Sequence, residues 1–136
     1  MKYVIGIVAA AVLVITGLIL NSDHRDRSVD VDLSALNNNM AYSELCYITE
    51  RPKEYKGKTV KIKGEIAAFY DQNEKKNRYA CVVGDAAGCC TQAMEFEPPA
   101  GETIPTSGEI TLIGTYNTYP TGEGEGVILK NTRIAE

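Results

Sequence analysis

The most informative segment of the sequence reads Thr59-Val60-Lys61-Ile62-Lys63-Gly64-Glu65-Ile66. Apolar and charged side chains alternate along it, and this period of two is typical of a β-strand with one buried face. Gly64 stands where a long strand would have to bend, and glycine permits such a bend. The pattern therefore predicts a bent strand over residues 58–70.

Four more strands are predicted downstream, at residues 79–83, 91–97, 109–119 and 126–134, with turn-forming residues between them. Five short strands are too few for two well-packed sheets, so a closed barrel is the economical way to avoid exposed edges. The predicted fold class is mainly β with one short helix, in a five-stranded OB-like barrel preceded by an N-terminal transmembrane helix.

One helix is predicted before the first strand. Ala41, Leu45 and Ile48 recur at helical spacing, with a run of asparagines ahead of them and Pro52 after them. The resulting apolar stripe would pack on the barrel.

The N-terminus predicts a membrane anchor. Residues 3–20 are 18 consecutive uncharged residues, close to the roughly 20 that cross a bilayer as a helix. No small-x-small pair ends the run, and no cysteine precedes Cys46, so neither signal cleavage nor a lipid-modified cysteine is expected. We predict an uncleaved anchor over residues 1–20, a flexible linker over 21–39 and an OB-like barrel over 40–136.

The charges that flank the anchor nearly balance across the membrane. Lys2 and the amino terminus lie on one side, and Arg25 and Arg27 on the other. The anchor resembles a signal sequence, and four cysteines suit an oxidising compartment, so we expect a single-pass protein of the cell membrane whose domain faces the extracytoplasmic side. A cytoplasmic domain is the alternative.

The formal net charge of the chain is −4. Binding to a nucleic-acid backbone relies on clustered Lys and Arg, so this acidic balance argues against nucleic acid as a partner.

Two segments resemble a known family. Residues 52–64 begin with Pro52-Lys53-Glu54-Tyr55-Lys56-Gly57-Lys58, and residues 85–96 begin with Asp85-Ala86-Ala87-Gly88-Cys89-Cys90. The first resembles the opening of bacterial exported OB-fold domains, the tRNA-anticodon-binding-like OB proteins, and the second is similar to a signature of their membrane-attached members. The resemblance implies a fold and no particular ligand.

Haem is not expected as a ligand. The exported haem chaperones of cytochrome c maturation are also small OB domains, but they need a histidine late in the domain. The only histidine in this sequence is His24.

The four cysteines are the main chemical feature of the sequence. Zinc accepts four tetrahedral ligands and binds sulfur readily, so Cys46, Cys81, Cys89 and Cys90 form a candidate Zn²⁺ site. Adjacent residues on a strand point to opposite faces, so Cys89 and Cys90 could share an ion only at a bulge or turn. Structural disulfides and a redox role are the alternatives.

A weaker candidate is a ligand surface of aromatic rings formed by Tyr70, Tyr79, Tyr116 and Tyr119. Rings on a barrel face can stack on bases or sugars. Tyrosines at strand ends also commonly cover a barrel edge with the hydroxyl in water, which is the simpler interpretation.

Catalysis is not expected. No histidine is available within the barrel to activate a serine or cysteine, and no phosphate-binding loop or dinucleotide motif is present. The sequence favours an anchored extracytoplasmic binding module, with a candidate metal site in its cysteines. The alternative is a disulfide-stabilised barrel with no small ligand that binds a protein partner at the cell surface.

Overall fold

The structure, a computed structural model, describes residues 28–135. Its elements in chain order are β1 (Val31–Asp32), α1 (Asn38–Glu50), α2 (Pro52–Tyr55), β2 (Thr59–Asp71), β3 (Lys76–Gly84), β4 (Thr91–Phe96), β5 (Glu109–Thr121) and β6 (Gly124–Ile134).

Strands β2 to β6 form a closed five-stranded barrel. Their order is β2-β3-β4-β6-β5, and β5 pairs again with β2. Every pairing is antiparallel except the one between β4 and β6, which is parallel and consists of Glu95 with Ile128 and Phe96 with Leu129. The prediction of a mainly β, five-stranded barrel is confirmed, and this architecture is consistent with an OB-like fold.

The barrel closes because β2 changes partner along its length. Residues 59–65 pair with β5, residues 65–71 pair with β3, and Glu65 pairs with both. The crossover needs glycine at position 64, because a Cβ atom there would lie 2.3 Å from the carbonyl oxygen of Val82. The bend predicted at Gly64 is therefore the place where the two halves of the barrel meet.

A second close approach lies at Gly114 in β5. A Cβ atom there would lie 2.8 Å from Cγ2 of Thr132, and the register between β5 and β6 shifts between Ile113 and Thr115. Such a shift bends a strand and increases its twist, which helps β5 to follow the curved wall.

Helix α1 packs its predicted stripe on the barrel. Ala41, Leu45 and Ile48 are all buried, and Leu45 and Ile48 are completely so. The ring of Tyr116 reaches them from β5, and its hydroxyl donates a hydrogen bond of 2.9 Å to the carbonyl oxygen of Ile48. Asn37 caps the helix, because its side chain accepts from the backbone N–H of Met40. Pro52, predicted as a stop, opens the one-turn helix α2.

The structure differs from the flexible linker predicted over residues 21–39. Val31 and Asp32 pair in parallel with Val60 and Lys61 of β2, and Leu33 is only 2% exposed. The side chain of Asp32 then accepts from the backbone N–H of Ser34 and holds the turn that leads to α1. Residues 28–39 therefore belong to the folded unit.

The predicted membrane anchor, residues 1–20, and the first part of the linker, residues 21–27, lie outside the described residues. Within residues 28–135 no helix combines the length and the apolar character that crossing a membrane requires.

Replacing Gly64 with alanine tests the crossover. The added methyl group must displace the backbone of β3, so we expect Gly64→Ala to lower the free energy of unfolding by about 1–3 kcal/mol. The measurement is urea unfolding of the detergent-solubilised protein, followed by the fluorescence of its tyrosines.

Gly122→Ala is the matched control, since a Cβ atom at Gly122 meets nothing within 4 Å. This variant should stay within about 0.5 kcal/mol of the parent protein. Equal stabilities for the two variants would show that β2 does not need glycine at its bend.

Candidate functional site

The strongest candidate site lies in the turn between β3 and β4, residues 85–90, which we call the cysteine turn. The side chain of Asp85 organises it: Oδ1 accepts hydrogen bonds from the backbone N–H groups of Cys89, at 3.0 Å, and Cys90, at 3.3 Å. The Asp85 N–H in turn donates to the carbonyl oxygen of Cys90 at 3.0 Å. Gly88 adopts a positive φ of 69°, which glycine tolerates best.

The turn gathers three metal-ligating groups. Oδ2 of Asp85 lies 3.2 Å from Sγ of Cys89, and the two sulfur atoms lie 3.8 Å apart. All three donor atoms lie within 4.8 Å of one another. Cys89 and Cys90 precede the first residue of β4, Thr91. Their side chains are therefore not forced onto opposite faces, as those of adjacent residues in a strand are. Both cysteines are exposed, and the site is open to solvent.

Asp85 and Cys89 alter each other's titration. The hydrogen bond to the Asp85 carboxylate raises the pKa of the Cys89 thiol, and the hydrogen bond with Cys90 raises it further. The thiol donor in turn is the largest cause that lowers the pKa of Asp85. Near neutral pH this pair is therefore a thiol that donates to a carboxylate, and a cation that binds the sulfur must displace the proton.

Helix α1 lies beside the cysteine turn. Oδ1 of Asn39 accepts a hydrogen bond of 2.7 Å from the backbone N–H of Ala86. One turn further along the helix, Tyr42 forms a hydrogen bond with Cys46, and this contact is the largest cause that raises the pKa of Tyr42. The charges of Cys90 and Asp85 raise that pKa further, so they act on the same hydroxyl. Tyr42 is therefore influenced mainly by Cys46 on its own helix and more weakly by the turn.

Cys81 has a different environment. It is completely buried in the core, where burial raises the pKa of its thiol to about 12. The structure thus brings Cys89 and Cys90 together, leaves Cys46 outside their group of ligand atoms and keeps Cys81 inside the barrel. All four cysteines are free thiols, so no disulfide joins any of them in the structure.

The four tyrosines predicted as a ligand surface do not form one platform. Tyr116 is a core residue with no exposed surface, so it cannot touch a ligand. Tyr70 is 53% exposed, at the end of β2. Tyr79 and Tyr119 line a separate pocket of about 340 Å³, which we call the Arg78 pocket.

The centre of this pocket is an ion-paired network that the sequence did not predict. Arg78 contacts Asp71 at 3.2 Å and forms a second, shorter pair with Glu95. The hydroxyl of Tyr119 donates to Glu95 at 2.8 Å, and the guanidinium carbon of Arg78 lies 4.8 Å from the centre of the Tyr119 ring. Desolvation lowers the pKa of Arg78, but the hydrogen bonds to Asp71 and Glu95 outweigh it and raise that pKa overall.

Gly126 is the one sequence signal that could have revealed the network. A Cβ atom there would lie 2.4 Å from the Tyr119 ring, so the aromatic side chain rests on the bare backbone of β6. A glycine within a strand marks such close approaches, although it does not identify the group that approaches.

Comparison by sequence finds no protein family and no curated protein that matches the chain. Among solved structures, a crystal structure from Klebsiella pneumoniae subsp. pneumoniae, provisionally described as a nucleic acid-binding lipoprotein, is similar over 85% of this chain and 98% of its own. The sequence identity is 13% and the TM-score is 0.48, a likeness too low to assign a family or a ligand.

Thiol modification tests how the cysteines are arranged. In metal-free protein at neutral pH, we expect a maleimide to modify Cys89 and Cys90 first and to leave Cys81 unmodified, because burial shields that sulfur and disfavours its thiolate. Peptide mass spectrometry of samples taken over time measures the order of modification.

Urea is the control, since unfolding should make all four thiols react alike. Modification of Cys81 in folded protein as fast as that of Cys89 would contradict the buried position.

Burial of Cys81 also makes the stability of the fold depend on pH. The pKa of this thiol is about 12 in the folded protein against an ordinary 9.0, so its contribution to the free energy of unfolding is fully present below pH 9.0 and declines as the pH rises from there.

Proposed function

We propose that this protein is a membrane-anchored, extracytoplasmic OB-fold binding module that holds a zinc ion at the cysteine turn. The observation that carries the proposal is the convergence of Asp85 Oδ2, Cys89 Sγ and Cys90 Sγ within 4.8 Å. Two sulfurs and one carboxylate oxygen are ligands that Zn²⁺ accepts together.

The spacing of the two sulfurs suits tetrahedral zinc. Zinc–sulfur bonds are about 2.3 Å long, and two such bonds at the tetrahedral angle place their sulfurs about 3.8 Å apart. The sulfurs of Cys89 and Cys90 are 3.8 Å apart. An ion could therefore bind both without moving one away from the other.

Asp85 can serve the site in two ways at once. Its Oδ1 is occupied by the two backbone N–H groups of the turn, while its Oδ2 faces the Cys89 sulfur. One oxygen thus fixes the carboxylate and the other is available as a ligand. Such support positions a ligand before the ion arrives and lowers the cost of ordering it.

Three ligands from the turn leave the fourth tetrahedral position of zinc for another donor. Cys46 is one protein candidate, because it contacts Tyr42, whose pKa the charges of Cys90 and Asp85 also raise. Water or a ligand from a partner protein would fill the position otherwise, and the exposure of the turn allows either.

The proposed location rests on the sequence. Residues 3–20 have the length and apolar character of a single membrane-spanning helix, and a domain that follows a signal-like anchor is normally exported. Export would place the cysteine turn outside the cytoplasm.

Zinc binding is tested on the full chain in detergent, purified without chelator. We expect one zinc ion per chain by native mass spectrometry. Cys89→Ser and Cys90→Ser should each weaken zinc binding at least about 100-fold in competition with a chromogenic chelator, since changing even a supporting residue around a metal commonly costs about 10–100-fold. Affinity should also fall as the pH falls, because protons compete for the sulfurs.

Two further variants sharpen the assignment. Cys81→Ala removes a thiol from the core and should leave zinc affinity unchanged, whereas Cys46→Ser weakens binding only if Cys46 supplies the fourth ligand. Zinc that stays equally tight in Cys89→Ser, or a native mass without any ion, would rule out the turn as a zinc site. In the second case a barrel that only binds a protein partner would be the better account.

The proposed extracytoplasmic location is tested by labelling bacterial spheroplasts with a membrane-impermeant maleimide after a chelator wash. We expect labelling without lysis, because the proposed orientation presents Cys89 and Cys90 to the outside. A double variant, Cys89→Ser with Cys90→Ser, should lose most of this labelling. Labelling that appears only after lysis would place the domain in the cytoplasm.

A further inference from the structure

Cys89 and Cys90 are neighbours in the chain, yet their sulfur atoms lie close together in the cysteine turn. In a β-strand the side chains of such neighbours point to opposite faces. Here both residues precede the first residue of β4, and their sulfurs are 3.8 Å apart. A disulfide bond is about 2.05 Å long, so the two sulfurs have to approach each other by roughly 1.8 Å to form one.

The two sulfurs are also accessible to a reagent in solution, because Cys89 and Cys90 are both exposed. Cys81 has no exposed surface, and Cys46 is only partly exposed and lies outside the group of ligand atoms in the turn. All four cysteines of the sequence lie within the part of the chain that the structure describes. Among them, Cys89 and Cys90 are the two that offer an oxidant an exposed pair in contact.

The peptide bond that joins the two cysteines is not part of a strand ladder, because β3 ends at Gly84 and β4 begins at Thr91. Its N–H belongs to Cys90 and donates to Oδ1 of Asp85 at 3.3 Å, whereas the N–H of Cys89 donates to the same atom at 3.0 Å. If the peptide rotates, the longer bond yields first. Asp85 then still holds the turn through the shorter one.

We propose that Cys89 and Cys90 are a modification site at which a small-molecule or protein disulfide forms a vicinal disulfide, a bond between adjacent cysteines, and thereby releases zinc. The release rests on the zinc binding proposed above, whereas the disulfide does not need it. Zinc binds thiolates, and the sulfurs of a disulfide carry no negative charge. Oxidation therefore removes two of the three ligands that the turn provides.

The reaction exchanges one disulfide for another. The thiolate of one cysteine attacks a sulfur of the oxidant, forms a mixed disulfide and displaces the first thiol of the oxidant. The thiolate of the second cysteine then attacks the sulfur of its neighbour, and the second thiol leaves. Two electrons pass from the cysteine pair to the oxidant, which becomes two thiols. Their two protons come from the cysteines in metal-free protein and from water when zinc has already displaced them.

Covalent geometry makes this disulfide easy to reverse. A trans peptide places neighbouring Cα atoms about 3.8 Å apart, whereas disulfides usually join Cα atoms that are ~4.4–6.8 Å apart. The closed ring is therefore strained, and a strained, exposed disulfide is reduced more easily than a structural one. Zinc acts in the opposite direction, because it binds the reduced pair and stabilises that form. The turn therefore keeps its zinc until the oxidant becomes strong or zinc becomes scarce.

The test uses the full chain in detergent, freed of metal and equilibrated with glutathione buffers of increasing oxidised fraction. After acid quenching and alkylation in urea, peptide mass spectrometry should show the segment with Cys89 and Cys90 lighter by two hydrogens. Cys46 and Cys81 should be alkylated, as free thiols are. In a glutathione buffer as reducing as the cytosol the disulfide should open completely, a condition that structural disulfides of secreted proteins resist.

Zinc should change the oxidation in a measurable way. Free zinc held at about 100 times its dissociation constant should raise the quotient [GSSG]/[GSH]² at half-oxidation about 100-fold, since the ion binds only the reduced form. When zinc-loaded protein is oxidised beside a chromogenic chelator, one zinc ion should be released for each vicinal disulfide formed.

Matched variants locate the bond. Cys89→Ser cannot close the ring, so its oxidation should stop at the mixed disulfide, and Cys90 should gain the mass of one glutathione. Cys46→Ser is the control and should form the vicinal disulfide as the parent protein does.

The vicinal disulfide is overturned by a bond from Cys46 to either cysteine, by cross-linked chains, or by glutathione on both sulfurs without ring closure. Zinc binding with no such disulfide would remove this inference and leave the zinc site standing. A vicinal disulfide in protein whose reduced form never holds zinc would instead remove the zinc site, and zinc release with it. Zinc that stays bound after the disulfide has formed would overturn the release alone.

Discussion

The whole barrel depends on one close approach of two backbones. At Gly64 the long strand β2 passes so near the carbonyl oxygen of Val82 that no side chain fits between them. This contact allows one strand to pair with β5 in its first half and with β3 in its second. Without it, β2 would extend straight and the five strands would form an open sheet with two exposed edges.

The cysteine turn and the Arg78 pocket depend on the barrel to different degrees. The cysteine turn is held by its own Asp85 carboxylate and by one hydrogen bond that Ala86 donates to Asn39 of α1, so its geometry depends on few long-range contacts. The Arg78 pocket is assembled from four strands and exists only when the barrel is closed. A loss of barrel stability should therefore harm the pocket before it harms the turn, because local hydrogen bonds survive partial opening better than long-range ones.

The period of hydrophobic residues made much of this fold predictable. The strand expected over residues 58–70 is found at Thr59–Asp71, and the helix expected around Ala41, Leu45 and Ile48 is found at Asn38–Glu50. The strand β1 was missed because Val31 and Leu33 are isolated apolar residues within a polar segment, and two residues give no measurable period. Tyr116 was misplaced for a different reason. It has the same parity as Ile110, Leu112 and Gly114, which all face inward, so a stricter application of strand alternation would have put it in the core.

Neither site could be derived fully from sequence. The short distance between the sulfur atoms of Cys89 and Cys90 depends on where the turn ends and β4 begins, and sequence patterns define such boundaries poorly. Asp85 acquires its role only once the turn folds its carboxylate back on the two cysteines. Arg78 and Glu95 are 17 residues apart, and Glu95 and Tyr119 are 24 apart, so their contacts need the strand register, which sequence alone does not supply.

The parallel pairing of β4 and β6 has a further consequence. It comprises two residue pairs, whereas the other barrel pairings run over six or more. Opening the barrel there breaks the fewest interstrand hydrogen bonds, so amide hydrogens along this line should exchange with solvent sooner than those elsewhere in the wall. A molecule bound across that line would slow the exchange. The barrel wall therefore opens most easily at the place where a bound molecule could hold it closed. The stability of the closed barrel would then depend on ligand binding as well as on sequence.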